Sequence, residues 1–188
     1  GDNPVGEAIR AELSRRGVNV AVVSTGLSQE ESLAALQRAW QSGPTPHLFL
    51  TGAYDAQSAT CVTEPGWSQR LSCGVLLPFW FCQRWFQLVS EAGLVDQATV
   101  VAVAALGGDF GFSGRVASAE SGALAGLMKA LGVEITRLRK SEFRSKVVDF
   151  APGESPTKMA ETVLQELAGG NRDVEVAYRG GRRYVVRP

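Results

Sequence analysis

The sequence predicts an α/β fold, a parallel β-sheet with helices on both faces, and three observations carry that expectation. Short β-branched runs alternate with longer segments of helical period, the pattern of βαβ units. The most strand-like run, ATVVAVAAL from Ala98 to Leu106, leads into a Gly-rich turn, GGDFGFSG, and then into a long helical segment. Finally, 45% apolar and 20% charged residues over 188 positions are enough to build and solvate one core, so residues 1–188 are read as a single domain.

Taken in order, Asn3 can cap a first helix that Pro4 opens, and Val5, Ile9 and Leu13 then share one face before Gly17 ends it. Val18 to Ser24 (VNVAVVS) reads as a buried strand from its β-branched content, followed by a helix with Leu33, Leu36 and Trp40 on its inner side. PHLFLTG is the next strand. Residues Ala53 to Cys73 are polar, hold Pro65 and Gly66 and show no period, so they are expected to form a long surface loop, a family-specific insertion. From Leu77 to Val89 a helical wheel places Leu77, Phe81, Trp85, Leu88 and Val89 on one face and Phe79, Cys82 and Phe86 on a second. A helix apolar on two faces is expected to be buried on two. Packing within this fold and packing against a second copy both satisfy that, and the excess of Trp and Phe favours some contact between domains. After the Gly-rich turn come a helix within ASAESGALAGLMKALGVE (Ala117 to Glu134) and a strand, SKVVDF (Ser145 to Phe150). A helix in SPTKMAETVLQELAGG follows, closed by Gly169 and Gly170, and then two alternating strands that Gly180 and Gly181 can join as a hairpin.

Charge and composition exclude several functions. Lys and Arg number 19 against 19 Asp and Glu, so no global field draws nucleic acid or an anionic membrane. The most apolar run, Gly74 to Cys82, is less than half the roughly 20 residues that span a bilayer, and no charged n-region of a signal peptide leads the chain. Cys61, Cys73 and Cys82 are an odd set without close pairing or zinc spacing, which fits reduced thiols in a cytoplasmic protein.

Isolated candidates for chemistry are weak. His47, the only histidine, follows Pro44 and Pro46 and has no recognisable partner, so it is read as a surface loop residue rather than a general base. Ser113 and Ser118 have no histidine nearby in sequence for a hydrolase triad. GGDFGFSG follows a strand but has the spacing of neither a P-loop nor a dinucleotide fingerprint, and is read as a tight turn. Asp55, Glu64, Asp109 and Glu120 are not spaced as a metal site. The basic run RLRKSEFRSK (Arg137 to Lys146) is read as a solvated helix end and loop, its functional alternative being a dock for an acidic carrier protein. Arg182, Arg183 and Arg187 are expected at a seam with a following domain.

Several runs together resemble a known family. VGEAIRAELSRRGVNVAVV is similar to the first helix and second strand of the short-chain dehydrogenases, GGDFGFSG to the turn after their fifth strand, SGALAGLMKALGVE to the next helix and KVVDF to their sixth strand. More narrowly, the chain resembles the structural half of the ketoreductase region in polyketide synthases and bacterial polyunsaturated fatty acid synthases. The resemblance spans nearly the whole chain and implies a Rossmann-like fold. It also implies a role: in such synthases two copies of the fold stand in tandem, and the first has lost its chemistry and braces the second.

The resemblance lets each site be asked for in turn. Gly6 falls on the last glycine of the cofactor loop and Pro4 on the middle one, where a ring without an N–H cannot approach a pyrophosphate. Ser24 and Thr25 stand where the family carries a charged residue for the ribose. The catalytic serine falls at about Ala104 or Ala105, the tyrosine at about Ala117 and the lysine at Ser121. Alanine and serine cannot replace a tyrosine proton donor and the lysine that lowers its pKa. The first strand, central in the family's sheet, is expected upstream of Gly1, and YRGGRRYVVRP matches the segment after which the catalytic copy would begin.

The expectation is therefore a non-catalytic structural ketoreductase subdomain with no catalytic, cofactor or metal residues of its own. Its partners would be the adjoining domains of the same synthase and an acyl carrier protein, with no nucleic acid and no membrane. NADPH and the reduction of β-ketoacyl thioesters are expected only in a neighbouring catalytic subdomain. The alternative is a free-standing short-chain dehydrogenase that recruits Tyr54 or Tyr178 as its acid; a third class, a ligand-sensing module resembling NAD-sensing repressors, would also need a cofactor site.

Overall fold

The computed structural model of the chain describes residues 3–24, 26–54, 63–139 and 141–187. Five strands form one sheet in the order β1-β2-β3-β4-β5, with β1 (His47–Leu50), β2 (Thr99–Ala104), β3 (Arg144–Phe150) and β4 (Glu175–Arg179) parallel. β5 (Arg182–Val185) returns antiparallel to β4 through Gly180 and Gly181, whose φ values of 57° and 72° are those of a two-residue hairpin turn.

Alternation along the central strands decides which helix lies on which face. Val100, Ala102 and Ala104 of β2 point to the side of α2 (Gln29–Gln41), α4 (Leu77–Glu91) and α5 (Ser121–Arg139), against Leu36, Trp85, Leu124 and Met128. Val101 and Val103 point to the other side, where α1 (Pro4–Arg15) and α6 (Pro156–Ala168) bring Val5, Ile9, Met159 and Val163. All six residues of β2 are buried, as a strand covered on both faces requires.

Local signals set most helix starts. Asn3 caps α1, accepting from the Gly6 N–H with Pro4 at the first turn, and Gly17 stands beyond the end at φ 76°. Ser28 and Glu31 form a reciprocal capping box at α2, and Ser155 caps α6.

Two expectations are corrected. Val18 to Ser24 is not a buried strand: it pairs with no described strand, and Val18 and Val22 are each 47% exposed. Its β-branched content is that of a strand, but among the described residues no strand lies beside it to complete the ladder. The supposed loop Ala53 to Cys73 contains α3 (Glu64–Leu71), capped by Thr63, and a π-helical turn, Ser72–Leu76, that runs on into α4. Pro65 and Gly66, read as breakers, lie in the first turn of α3, where a proline costs no hydrogen bond; residues 55–62 of that loop lie outside the described residues. In α4, Cys82, Trp85, Leu88 and Val89 are buried, and Phe79 and Trp80 stand exposed with their rings 5.1 Å apart, edge to face.

Candidate functional site

The positions on which the resemblance places a reductase's catalytic groups lie near one another beyond the C-terminal ends of β1 and β2. Ala105 follows β2, and its carbonyl accepts the N–H groups of Ala117 and Ser118 at 3.0 and 3.1 Å. Ser121 opens α5 with its Oγ accepting the Ala105 N–H at 3.1 Å. Ala53, just past β1, accepts from Ser118 Oγ at 2.9 Å and from Ser121 Oγ at 3.4 Å, the two hydroxyls lying 3.2 Å apart. Ala104, Ala105, Ala117, Ser118 and Ser121 are all buried. Methyl groups and two hydroxyls bound to a carbonyl offer no group that exchanges a proton near neutral pH.

The approach to this point is covered by the chain itself. Arg70 of α3 donates from Nε and Nη2 to the two oxygens of Glu120 at 2.9 and 2.6 Å, and Glu120 is 6% exposed. Gly74, in the π-helical turn, lies so close that a Cβ would stand 2.7 Å from Glu120 Cγ and 3.7 Å from Ala53 Cβ. A fork-to-carboxylate pair taken out of water is among the stronger polar contacts available to a protein. Sequence reading missed it because Arg70 lay in the supposed loop and its partner is fifty residues away.

Where the resemblance places a cofactor loop, the start of α1 is committed within the chain. Pro4 has no N–H, Asn3 Oδ1 accepts the Gly6 N–H at 2.8 Å, and the Asn3 amide donates to the Thr51 carbonyl. A dinucleotide pyrophosphate needs open space and free N–H donors at such a terminus, so these residues do not fit it. Ser24, half-buried, accepts the Gly26 N–H at 3.2 Å; Thr25 lies outside the described residues.

The Gly-rich turn is organised by Asp149, a fully buried carboxylate at the end of β3. It accepts the N–H groups of Leu106 and Phe110 at 2.6 and 2.8 Å. Desolvation pushes its pKa up to about 6, against those hydrogen bonds and with help from the charge of Asp109. Gly108 has φ 74°, and a Cβ there would meet the Tyr178 carbonyl oxygen at 2.4 Å. The turn thus has the Leu106 and Phe110 N–H groups bound to Asp149. Asp109 pairs with Arg179 at 2.8 Å; desolvation opposes ionisation, but hydrogen bonds from Ser113 and the Arg179 charge hold its carboxyl below the ordinary value.

The remaining candidates are dispersed. His47 is exposed at the first residue of β1, its pKa lowered by desolvation and by Arg144. Glu64 is exposed on α3, and among the described residues no group of three His, Cys, Asp or Glu side chains is placed to hold a metal. Asp55 and Cys61 lie outside the described residues; Cys73 is half-buried and Cys82 buried, its thiol pushed up to about 12 by desolvation. The basic run does not behave as one solvated surface. Arg144 is exposed, whereas Lys146 is buried and donates to Glu166 at 2.7 Å and to Asn171 at 2.6 Å; the side chains of residues 137–140 lie outside the description.

Glu166 on α6 is a hub that the sequence did not announce. Besides Lys146 it accepts from Tyr178 Oη at 2.5 Å, Arg183 Nε at 2.6 Å and Asn171 Nδ2 at 3.2 Å. Desolvation opposes its charge, but hydrogen bonds from Arg183, Lys146, Tyr178 and Asn171 hold its carboxyl far below the usual carboxylate range. Arg183 is tied to Glu166 and Asp173. Arg187 reaches Asp173 at 3.9 Å, and Arg182 is exposed. Desolvation and the bond to Glu166 push the Tyr178 phenol up to about 12, opposite to what a proton-donating tyrosine needs; Tyr54 packs half-buried beside α1 and α6.

No protein-family model matches the chain, and no curated protein matches it. Solved structures do match. A short-chain dehydrogenase from Streptomyces avermitilis superposes with a TM-score of 0.68 at 15% identity, over 94% of this chain and 84% of that one. 4-Hydroxyisoleucine dehydrogenase, solved with NADH and succinate, gives 0.72 at 12% identity, over 96% and 95%. Acetoin dehydrogenase from Salmonella typhimurium gives 0.66 at 16% identity, over 94% and 81%. Among the described residues no helix is long and apolar enough to cross a membrane. The chain therefore has the Rossmann-like α/β fold of the short-chain dehydrogenases and reductases.

Proposed function

We propose that this chain is the non-catalytic structural subdomain of a ketoreductase region in a polyketide or polyunsaturated fatty acid synthase, and that it holds adjoining domains in place. The observation that carries this reading is the closed catalytic end: alanines and serines occupy the reacting positions, and the Arg70–Glu120 pair and Gly74 seal them. The occupied terminus of α1 supports it, because a scaffold has no need of a dinucleotide site. On this reading the reduction of a β-ketoacyl thioester with NADPH belongs to a neighbouring catalytic copy, and the partners of this chain are the domains beside it and the carrier protein they share.

The test is a titration with NADPH and NADH followed by cofactor fluorescence or calorimetry, with an intact ketoreductase as positive control. No saturation up to millimolar cofactor is expected, whereas binding at micromolar concentration overturns the scaffold reading in favour of an enzyme.

A further inference from the structure

Phe112 is the most exposed large apolar side chain among the described residues, at 83%. Its backbone is held all the same: its N–H donates to the Asp109 carbonyl at 3.2 Å, and the turn beneath it is pinned by the Asp149 carboxylate. A groove of about 380 Å³ runs beside it, walled by Phe110 and Phe112 of the turn and by Tyr184 and Val186 of the terminal hairpin. Tyr184 and Val186 are exposed as well, and apolar side chains gathered in this way mark a contact surface.

The groove lies along an open sheet edge, because β5 pairs only with β4. The Tyr178 carbonyl accepts the Ala151 N–H at 3.1 Å, on the side away from β5, so Tyr178 and Arg183 are a non-hydrogen-bonded pair of the hairpin. The N–H and C=O groups of Arg183 and Val185 therefore point out from the free edge, where among the described residues no backbone group meets them. Alternation also places Arg182, Tyr184 and Val186 on the face that carries Phe112, and turns Arg183 to the other face, where Glu166 holds it.

We propose that the β5 edge and this groove form a docking site for an extended acidic segment of a partner protein, added as a further strand with apolar side chains over Phe112, Tyr184 and Val186. Charge selects the occupant. Asp109, the acid of the groove, is neutralised by Arg179 at 2.8 Å. Arg182 is exposed and has no ion pair among the described residues. Arg187, its side chain 78% exposed, reaches only Asp173 at 3.9 Å, and Arg183 already holds Asp173 at 2.9 Å. Uncompensated cations thus stand at both ends of β5, and acids at the two ends of a bound segment would meet them. The segment's backbone would pair the outward groups of Arg183 and Val185. A basic segment is repelled, and so is a second copy of this chain, since pairing two β5 edges sets the same cations against each other. This inference does not rest on the scaffold reading: cofactor binding would defeat that reading and leave this edge as it is.

The probe is a fluorescein-labelled seven-residue peptide with glutamate at both ends and threonine and valine alternating between them, titrated with this chain and followed by anisotropy. Two control peptides carry lysine at both ends, or prolines at two adjacent central positions, one of which must face the edge. Saturable binding below about millimolar concentration is expected for the glutamate peptide, with both controls at least about tenfold weaker. Amide hydrogen exchange at Arg183 and Val185 should slow at least about tenfold at saturation, a change that contact through side chains alone does not produce. Arg182→Glu and Phe112→Ala, both at exposed positions, should each weaken binding about threefold or more, with exchange at Val101 and Val103 unchanged to show an intact fold. No saturation, equal binding of the lysine peptide, or binding that leaves Arg183 and Val185 exchanging as before overturns the proposal. So does a doubled mass in sedimentation with those two amides protected in the chain alone, which gives the edge to a second copy.

Discussion

Replacing Glu166 by leucine should be among the most damaging single changes in the molecule. Lys146, its side chain 6% exposed, would keep Asn171 Oδ1 at 2.6 Å as its hydrogen-bond partner but lose its counter-charge, while Tyr178 and Arg183 would each lose an acceptor. Breaking a buried ion pair from one side typically costs about 3–5 kcal/mol, because the remaining charge stays desolvated. For a domain of this size each kcal/mol moves the melting temperature by about 2–4 °C, so Glu166→Leu should lower Tm by roughly 6–20 °C at pH 7. The double variant Lys146→Met with Glu166→Leu removes both charges and should recover much of that loss, with Arg183 still held by Asp173 at 2.9 Å. Differential scanning calorimetry on the three proteins decides it. A loss below about 3 °C in the single variant, or a double variant as unstable as the single, would refute the view of Glu166 as a compensated buried charge.

Other outcomes can be stated briefly. Glu166 has a folded-state pKa below its unfolded value of 4.5, so its contribution is present above pH 4.5 and is lost as the pH falls through the folded value; the wild-type protein should lose more stability than Glu166→Leu on acidification below about pH 4. Asp149 acts in the opposite sense. Its folded pKa of about 6 lies above the unfolded 3.8, so the folded state holds the extra proton between those values, and stability should fall as pH rises through that window by at most roughly 3 kcal/mol and then level off. Asp149→Asn should flatten this part of a pH–Tm profile while lowering Tm at every pH, since an amide cannot accept from both Leu106 and Phe110 through two oxygens; a profile unchanged between pH 4 and 6 would remove Asp149 as its source. Gly108→Ala should be destabilising by more than the approximately 1 kcal/mol of an ordinary positive-φ glycine, because its Cβ meets backbone at 2.4 Å; urea unfolding with an unchanged midpoint would contradict that geometry.

Much of this protein was legible in its residues because the signals concerned are local. Asn3, Pro4 and Gly17 bound α1, Ser155 caps α6, the β-branched run at 99–104 forms the most buried strand, and Gly180 and Gly181 turn the hairpin, each through backbone preferences that act within a few positions.

What tertiary structure alone decided are the pairings between distant residues. Arg70 meets Glu120 and Lys146 meets Glu166 across separations that carry no sequence period, so neither the Arg70–Glu120 pair nor the buried charge hub could be foreseen. The same physics explains the segment 18–24: its composition is that of a strand, but a strand exists only where a neighbour supplies the other half of its hydrogen bonds, and beside these residues the fold leaves a gap.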